Sequence, residues 1–141
     1  MEILIGALLL AAWLGSRFMG VVSARSGVLL NGLAPEGIRI LGSLDHASRA
    51  FDVDLVITSA VRPEDSDSMH SLGKAIDVRT SNLTEAQIDA LYHWLASDLG
   101  PSYVVLFETP SINSVPVSLR PIATVNPAAT GVHFHLGVRR T

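Results

Sequence analysis

The sequence predicts a compact α+β domain, a small antiparallel sheet with flanking helices. Three observations lead there. Two segments, from Pro35 to Phe51 and from Thr84 to Leu99, carry apolar residues at helical spacing. Four short runs rich in β-branched or alternating apolar residues lie after the first helix and on either side of the second. The 141 residues, 48% hydrophobic and 16% charged, suit one domain with a real core and are too apolar for disorder.

The elements follow in chain order. Ile3 to Leu14 is an apolar run, broken by Arg17, and Phe18 to Val22 is apolar again. Its length fits a signal-peptide core better than a membrane span of about 20 residues, and Val22-Ser23-Ala24 has the small residues of a cleavage site. Glu2 and the lack of an early Lys or Arg oppose export. Residues 1–24 are therefore read as an export signal, a membrane anchor or a helix packed on the core, with membrane contact through residues 3–22. An exported, membrane-anchored or phage-associated protein is favoured over a purely cytoplasmic one. Arg25 to Ala34, with Gly27, Asn31 and Gly32, reads as a linker, and the domain proper spans 35–141.

Pro35 suits a first helical position and Glu36 the positive end of the helix dipole. Ile40, Leu44, Ala47 and Phe51 then recur at helical spacing. Asp52 to Ser59 reads as a buried strand, Val61 to Leu72 as a polar loop and Lys74 to Arg79 as a second strand. Thr84-Glu85-Ala86-Gln87 has the form of a capping box, and Ile88, Leu91, Leu95 and Leu99 continue the helix to Gly100-Pro101. Tyr103 to Thr109 reads as the third strand and Val132 to Val138 as the last. Between them, Val117 to Leu119 and Ile122 to Val125 read as a hairpin or a flap.

A net charge of −3 leaves no basic footprint, which argues against nucleic acid as a partner. With no cysteine in the chain, disulfides and thiolate metal sites are excluded, so a transition-metal site must use His and carboxylates.

The chemistry concentrates in Ser68-Met69-His70-Ser71-Leu72-Gly73-Lys74-Ala75-Ile76-Asp77 and in His133-Phe134-His135. Gly73 gives the backbone freedom to turn, so that His70 and Asp77 can converge. Strand alternation sets Asp77 on the face opposite Ile76 and Val78, and a carboxylate on such a strand is costly unless it is paired or bound to metal. His133 and His135, two apart on a strand, project from one face. Either or both can ligate. Three ligands from these two places make an open zinc site that keeps a position for water.

These motifs resemble those of the zinc D-Ala-D-Ala carboxypeptidase family, the M15 peptidases, which share a fold with the hedgehog signalling domain. The resemblance covers about Pro35 to Arg139. It implies a hedgehog/DD-peptidase-like fold, one Zn2+ and hydrolysis of peptide bonds in bacterial peptidoglycan stem peptides. His70, Asp77 and His135 resemble the three zinc ligands, and His133 the histidine that contacts substrate or the developing oxyanion. Thr58-Ser59-Ala60-Val61-Arg62 resembles the Thr-Ser-Gly-Tyr-Arg segment whose Arg orients substrate, so Arg62, with Ser68, is assigned to substrate binding. Tyr103 to Glu108 resembles the strand ending in the catalytic Glu. Many members place that carboxylate three residues before the last ligand, where this chain has Val132. Glu108 as general base thus requires Thr109 to Gly131 to fold away from the site. The rival expectation is a non-catalytic zinc-binding module of the same fold that binds cell-wall peptides or a protein partner.

Other tempting residues carry less. His46 and His93 read as surface or interhelical histidines. Glu64, Asp65 and Asp67 form an acidic loop without the ligand spacing of a calcium site. Trp13 reads as an apolar anchor and Trp94 as helix packing.

Overall fold

A computed structural model of the chain describes residues 20–65 and 68–140. The apolar run from Ile3 to Leu14, and with it the choice among signal, anchor and packed helix, lies outside these residues. No helix among the described residues is long and apolar enough to cross a membrane.

The fold is α+β, with a six-stranded mixed sheet. Its strands are β1 (Val22–Ala24), β2 (Leu55–Ser59), β3 (Ala75–Arg79), β4 (Tyr103–Thr109), β5 (Ala123–Val125) and β6 (His133–Val138), in the spatial order β1-β2-β3-β6-β4-β5. The four central strands are antiparallel, as expected from the sequence, but the sheet does not stop there. β1 pairs with β2 and β5 with β4 in parallel, so a purely antiparallel sheet is corrected to a mixed one. Parallel neighbours need a crossover. Helix α1 (Pro35–Phe51) lies in the connection between β1 and β2, and two 3-10 turns, Ile112–Ser114 and Val117–Ile122, lie in the one between β4 and β5.

The helices form where local chemistry signals them. Pro35 opens α1, Glu36 occupies its first turn, and Asp52 ends it in the left-handed region at φ 51°. Asp tolerates that conformation better than most residues. Because Asp52 closes the helix, β2 begins only at Leu55, three residues later than the sequence pattern suggests. Helix α2 (Glu85–Leu99) carries the expected capping box: Gln87 N donates to Thr84 Oγ1 at 3.1 Å and Thr84 N to Gln87 Oε1 at 2.9 Å. Gly37, Ile40, Leu44 and Ala47 form the buried stripe of α1, and Ile88, Leu91, Leu95 and Leu99 that of α2. The two helices are clasped at Asp98, which accepts from Ser43 Oγ at 2.8 Å and Arg39 Nη1 at 3.2 Å.

Two segments differ from their sequence reading. The stretch read as a linker, 25–34, is tied to the domain: Leu29 bridges to Val61, Ala34 N donates to the Gly73 carbonyl, and Val28 and Leu33 pack on the core. Val22–Ala24, at the end of the apolar N-terminal segment, is strand β1. The segment after β4 is neither hairpin nor flap. Pro116 and Pro121 lack the N–H that a hairpin ladder needs, and the chain coils instead into the 3-10 turns, burying Val115 and Leu119 in the core. Ser118 hydrogen-bonds Glu85 at the start of α2, which holds this segment against the helix.

Leu95 is fully buried, whereas Val117 is 72% exposed. Leu95→Ala is expected to cost about 2–5 kcal/mol, from lost burial and the cavity left behind. Val117→Ala should stay within about 0.5 kcal/mol of the parent. Chemical denaturation of both variants checks the assignment of the core.

Candidate metal centre

Alternation along three strands separates a core face from a polar face. Ile76 and Val78 of β3, Val105 and Phe107 of β4, and Phe134 and Leu136 of β6 are buried in the core. The residues between them, Asp77 and Arg79, Leu106 and Glu108, His133 and His135, share the other face. Register then aligns them. Asp77 stands opposite His135, which stands opposite Leu106; Arg79 stands opposite His133, which stands opposite Glu108. A bulge in β2 between Ile57 and Ser59 sets Ser59 opposite Asp77.

His70 reaches this face from the β2–β3 loop. Its turn is closed by Ser71 N donating to Ser68 Oγ at 3.0 Å and Ser71 Oγ to the Ser68 carbonyl at 2.8 Å. Gly73 ends the turn at φ +70°, and a Cβ there would lie 2.4 Å from the Gly32 carbonyl oxygen and 2.8 Å from Ala34 N. No other residue fits both the conformation and the space.

The ring of His70 is fixed in one tautomer. Its Nδ1 lies 2.8 Å from the Ala60 carbonyl, which can only accept, so Nδ1 carries the proton. His70 Nε2 is left buried with no hydrogen-bond partner of good geometry, although Asp77 Oδ1 is 3.3 Å away. A lone pair aimed at a carboxylate oxygen across that gap is unfavourable until a cation stands between them. His135 Nδ1 lies 2.8 Å from the same Oδ1. Burial acts to raise the Asp77 pKa, but the adjoining His135 and His70 imidazoles outweigh it and hold the carboxyl well below its ordinary range. Asp77 therefore stands as a carboxylate beside the two rings.

The donor atoms of His70, Asp77 and His135 all lie within 4.8 Å of one another. Two ligands each about 2.1 Å from a tetrahedral zinc ion stand about 3.4 Å apart, so small side-chain movements close the trio on a metal. Two nitrogens and one oxygen, with a carbonyl orienting a ring from behind, suit a borderline cation such as Zn2+.

Glu108 and His133 sit in the adjoining row. His133 Nδ1 lies 3.0 Å from the Gly131 carbonyl and so carries a proton, while Nε2 is 3.1 Å from Glu108 Oε1 and 3.9 Å from Asp77 Oδ1. The two side chains thus form a closely spaced pair next to the trio. Val117–Ile122 packs against α2, β5 runs beside β4, and Glu108 stands opposite His133.

Arg62 and Ser68 are not drawn into contact with the trio. Arg62 Nε is 2.9 Å from Asp65 Oδ2, and the Arg62 backbone N–H donates to the His70 carbonyl. Ser68 Oγ is engaged in the turn just described. His46 of α1 packs edge-on to Trp94 of α2, an interhelical contact, and His93 lies 3.6 Å from Asp89 on the exposed side of α2.

Sequence reasoning missed four contributors. The Ala60 and Gly131 carbonyls left no mark on residue identity. Gly137 was findable, since it lies two residues beyond His135 on the same face: a Cβ there would sit 3.2 Å from His135 Nε2, so the ring leans over a position that must stay bare. Arg79, two residues beyond Asp77, was findable by the same alternation. No protein-family model, curated protein or solved structure matches the chain.

Gly137→Ala is expected to push the His135 ring aside and weaken metal binding about 10–100-fold, the range typical of lost support behind a ligand. Competition with a chromophoric chelator measures this directly. An affinity equal to the parent would show that the ring does not need the space.

Proposed function

We propose that the chain is a zinc-dependent peptidase of the M15 type, with a hedgehog/DD-peptidase-like fold, acting as a D,D-carboxypeptidase or endopeptidase on bacterial peptidoglycan stem peptides. One observation carries this reading: the His70–Asp77–His135 trio and the Glu108–His133 pair occupy adjoining rows of one sheet face. Three ligands with a carboxylate alongside are what hydrolysis requires. A structural site would close its fourth position with another protein ligand.

His70, Asp77 and His135 would hold the zinc. When bound, zinc supplies a Lewis acid for the scissile carbonyl and lowers the pKa of water toward neutrality. Glu108 takes the proton from the attacking water and delivers it to the leaving amine. His133, beside Glu108, donates from Nε2 when protonated to the oxygen that becomes negative as the carbonyl is attacked. Arg62, paired with Asp65, orients substrate through the donors of its planar fork that the ion pair leaves free, with Ser68 beside it. The rival reading, a zinc-binding module without turnover, keeps the trio and makes no use of Glu108 as a base.

Incubation of the zinc-loaded chain with muropeptides, followed by mass spectrometry, separates the two. Cleavage products that vanish on chelation are expected, and their masses name the bond. Glu108→Gln should keep zinc and lose about 10²–10⁴-fold in turnover. Bound zinc without products would favour the module; turnover by Glu108→Gln would remove Glu108 as the base.

A further inference from the structure

Two arginines belong to this side of the molecule, and they are in different states. Arg62 is neutralised by Asp65 at 2.9 Å. Lys74, just before β3, lies 3.5 Å from Glu36. Arg79 is half-buried on β3 and has no hydrogen-bond or ion-pair partner among the described residues. Alternation puts it on the same face as Asp77, and register puts it directly opposite His133, in line with Glu108. Side chains so paired have Cβ atoms about 5 Å apart.

The carboxylates of this face are already engaged. Glu108 is taken by His133, and Asp77 by His70 and His135. A half-buried guanidinium without a counter-charge carries a desolvation cost that an incoming anion relieves. Its fork matches a carboxylate with two parallel N–H bonds, which a lysine does not reproduce. The ion pair Arg62 makes with Asp65 must break before it can serve; Arg79 meets no such competition.

We propose that Arg79 is the anion-binding residue of this site and holds a carboxylate of the peptide substrate beside His133. The inference rests on the peptidase reading and adds its specificity: the peptide taken bears a carboxylate close to the bond that is cut. That carboxylate is either the free C-terminus, as a carboxypeptidase requires, or an acidic side chain within the stem. Bound there, it fixes the scissile carbonyl between the trio and Glu108.

Three synthetic peptides test this: L-Ala-γ-D-Glu-L-Lys-D-Ala-D-Ala, its C-terminal carboxamide, and the same peptide with the D-Glu α-carboxylate converted to the amide. Binding is measured by calorimetry to the full zinc-loaded chain in a Glu108→Gln background, which keeps the peptides intact, with and without Arg79→Gln and Arg79→Lys. Zinc content is measured on each sample. The expected result is that masking one of the two carboxylates weakens binding about tenfold to a hundredfold. Arg79→Gln should bind all three peptides alike with unchanged zinc, and Arg79→Lys should restore the discrimination only in part. Which amide binds poorly identifies the carboxylate. Discrimination that survives in Arg79→Gln, equal binding of all three by the parent, or no binding of any would overturn the role of Arg79 while bound zinc leaves the metal centre standing. Failure to take up zinc would sink the peptidase reading itself, and the proposal with it.

Discussion

The register of β6 between β3 and β4 is the constraint on which both the core and the candidate site depend. With that register, Phe134 and Leu136 meet Val78, Ile76, Phe107 and Val105 on one face, while His133 and His135 meet Arg79, Asp77, Glu108 and Leu106 on the other. A slip of one residue would exchange the faces, sending the histidines into the core and two large apolar side chains into water. Full burial of each such side chain stabilises by about 1.5–3 kcal/mol, so the apolar face alone opposes the slip strongly. The polar face is therefore set by what lies behind it and stands ready before any metal arrives.

The helices make that separation usable. Both α1 and α2 bury their stripes in the common core with Ile76, Phe107, Phe134 and Leu136, which leaves the opposite face to the β2–β3 loop and to polar side chains. His70 is delivered there by a loop held at several points, through Gly73, the Ala60 carbonyl and the Arg62 N–H. Each hold is a backbone contact. They decide which nitrogen of His70 faces inward, toward Asp77.

Local chemistry was legible in the sequence; non-local pairing was legible only in part. Pro35, the Thr84–Gln87 box and the apolar spacing of both helices mark their bounds closely, since caps and periodicity act within one turn. The convergence of His70 and Asp77 was legible from alternation and one glycine, whereas the choice of His135 over His133 came from the family resemblance. The parallel edge strands β1 and β5 were not, because three-residue strands gain their identity from a neighbour far along the chain. The prolines of 110–127 argue against a hairpin but do not say that Val115 and Leu119 enter the core. Arg79 and Gly137 followed from the alternation that located Asp77 and His135, yet no motif drew attention to them.

Glu108 shows most sharply how weak a guide sequence distance is to a site of this kind. Thr109–Gly131 separates it from the His133–His135 pair, yet Oε1 stands 3.1 Å from His133 Nε2. The cost of so long a connection is small: doubling a flexible loop adds only about 0.6 kcal/mol of closure entropy, and burial of Val115 and Leu119 offsets part of it. The connection also makes a parallel edge strand beside β4, pairing Glu108 with Thr124 and Thr109 with Val125. A terminal strand position is normally where a side chain gains freedom to move. Here the strand end is covered on both sides, by β6 and by β5, and the carboxylate is held where a proton can pass between it and the histidine.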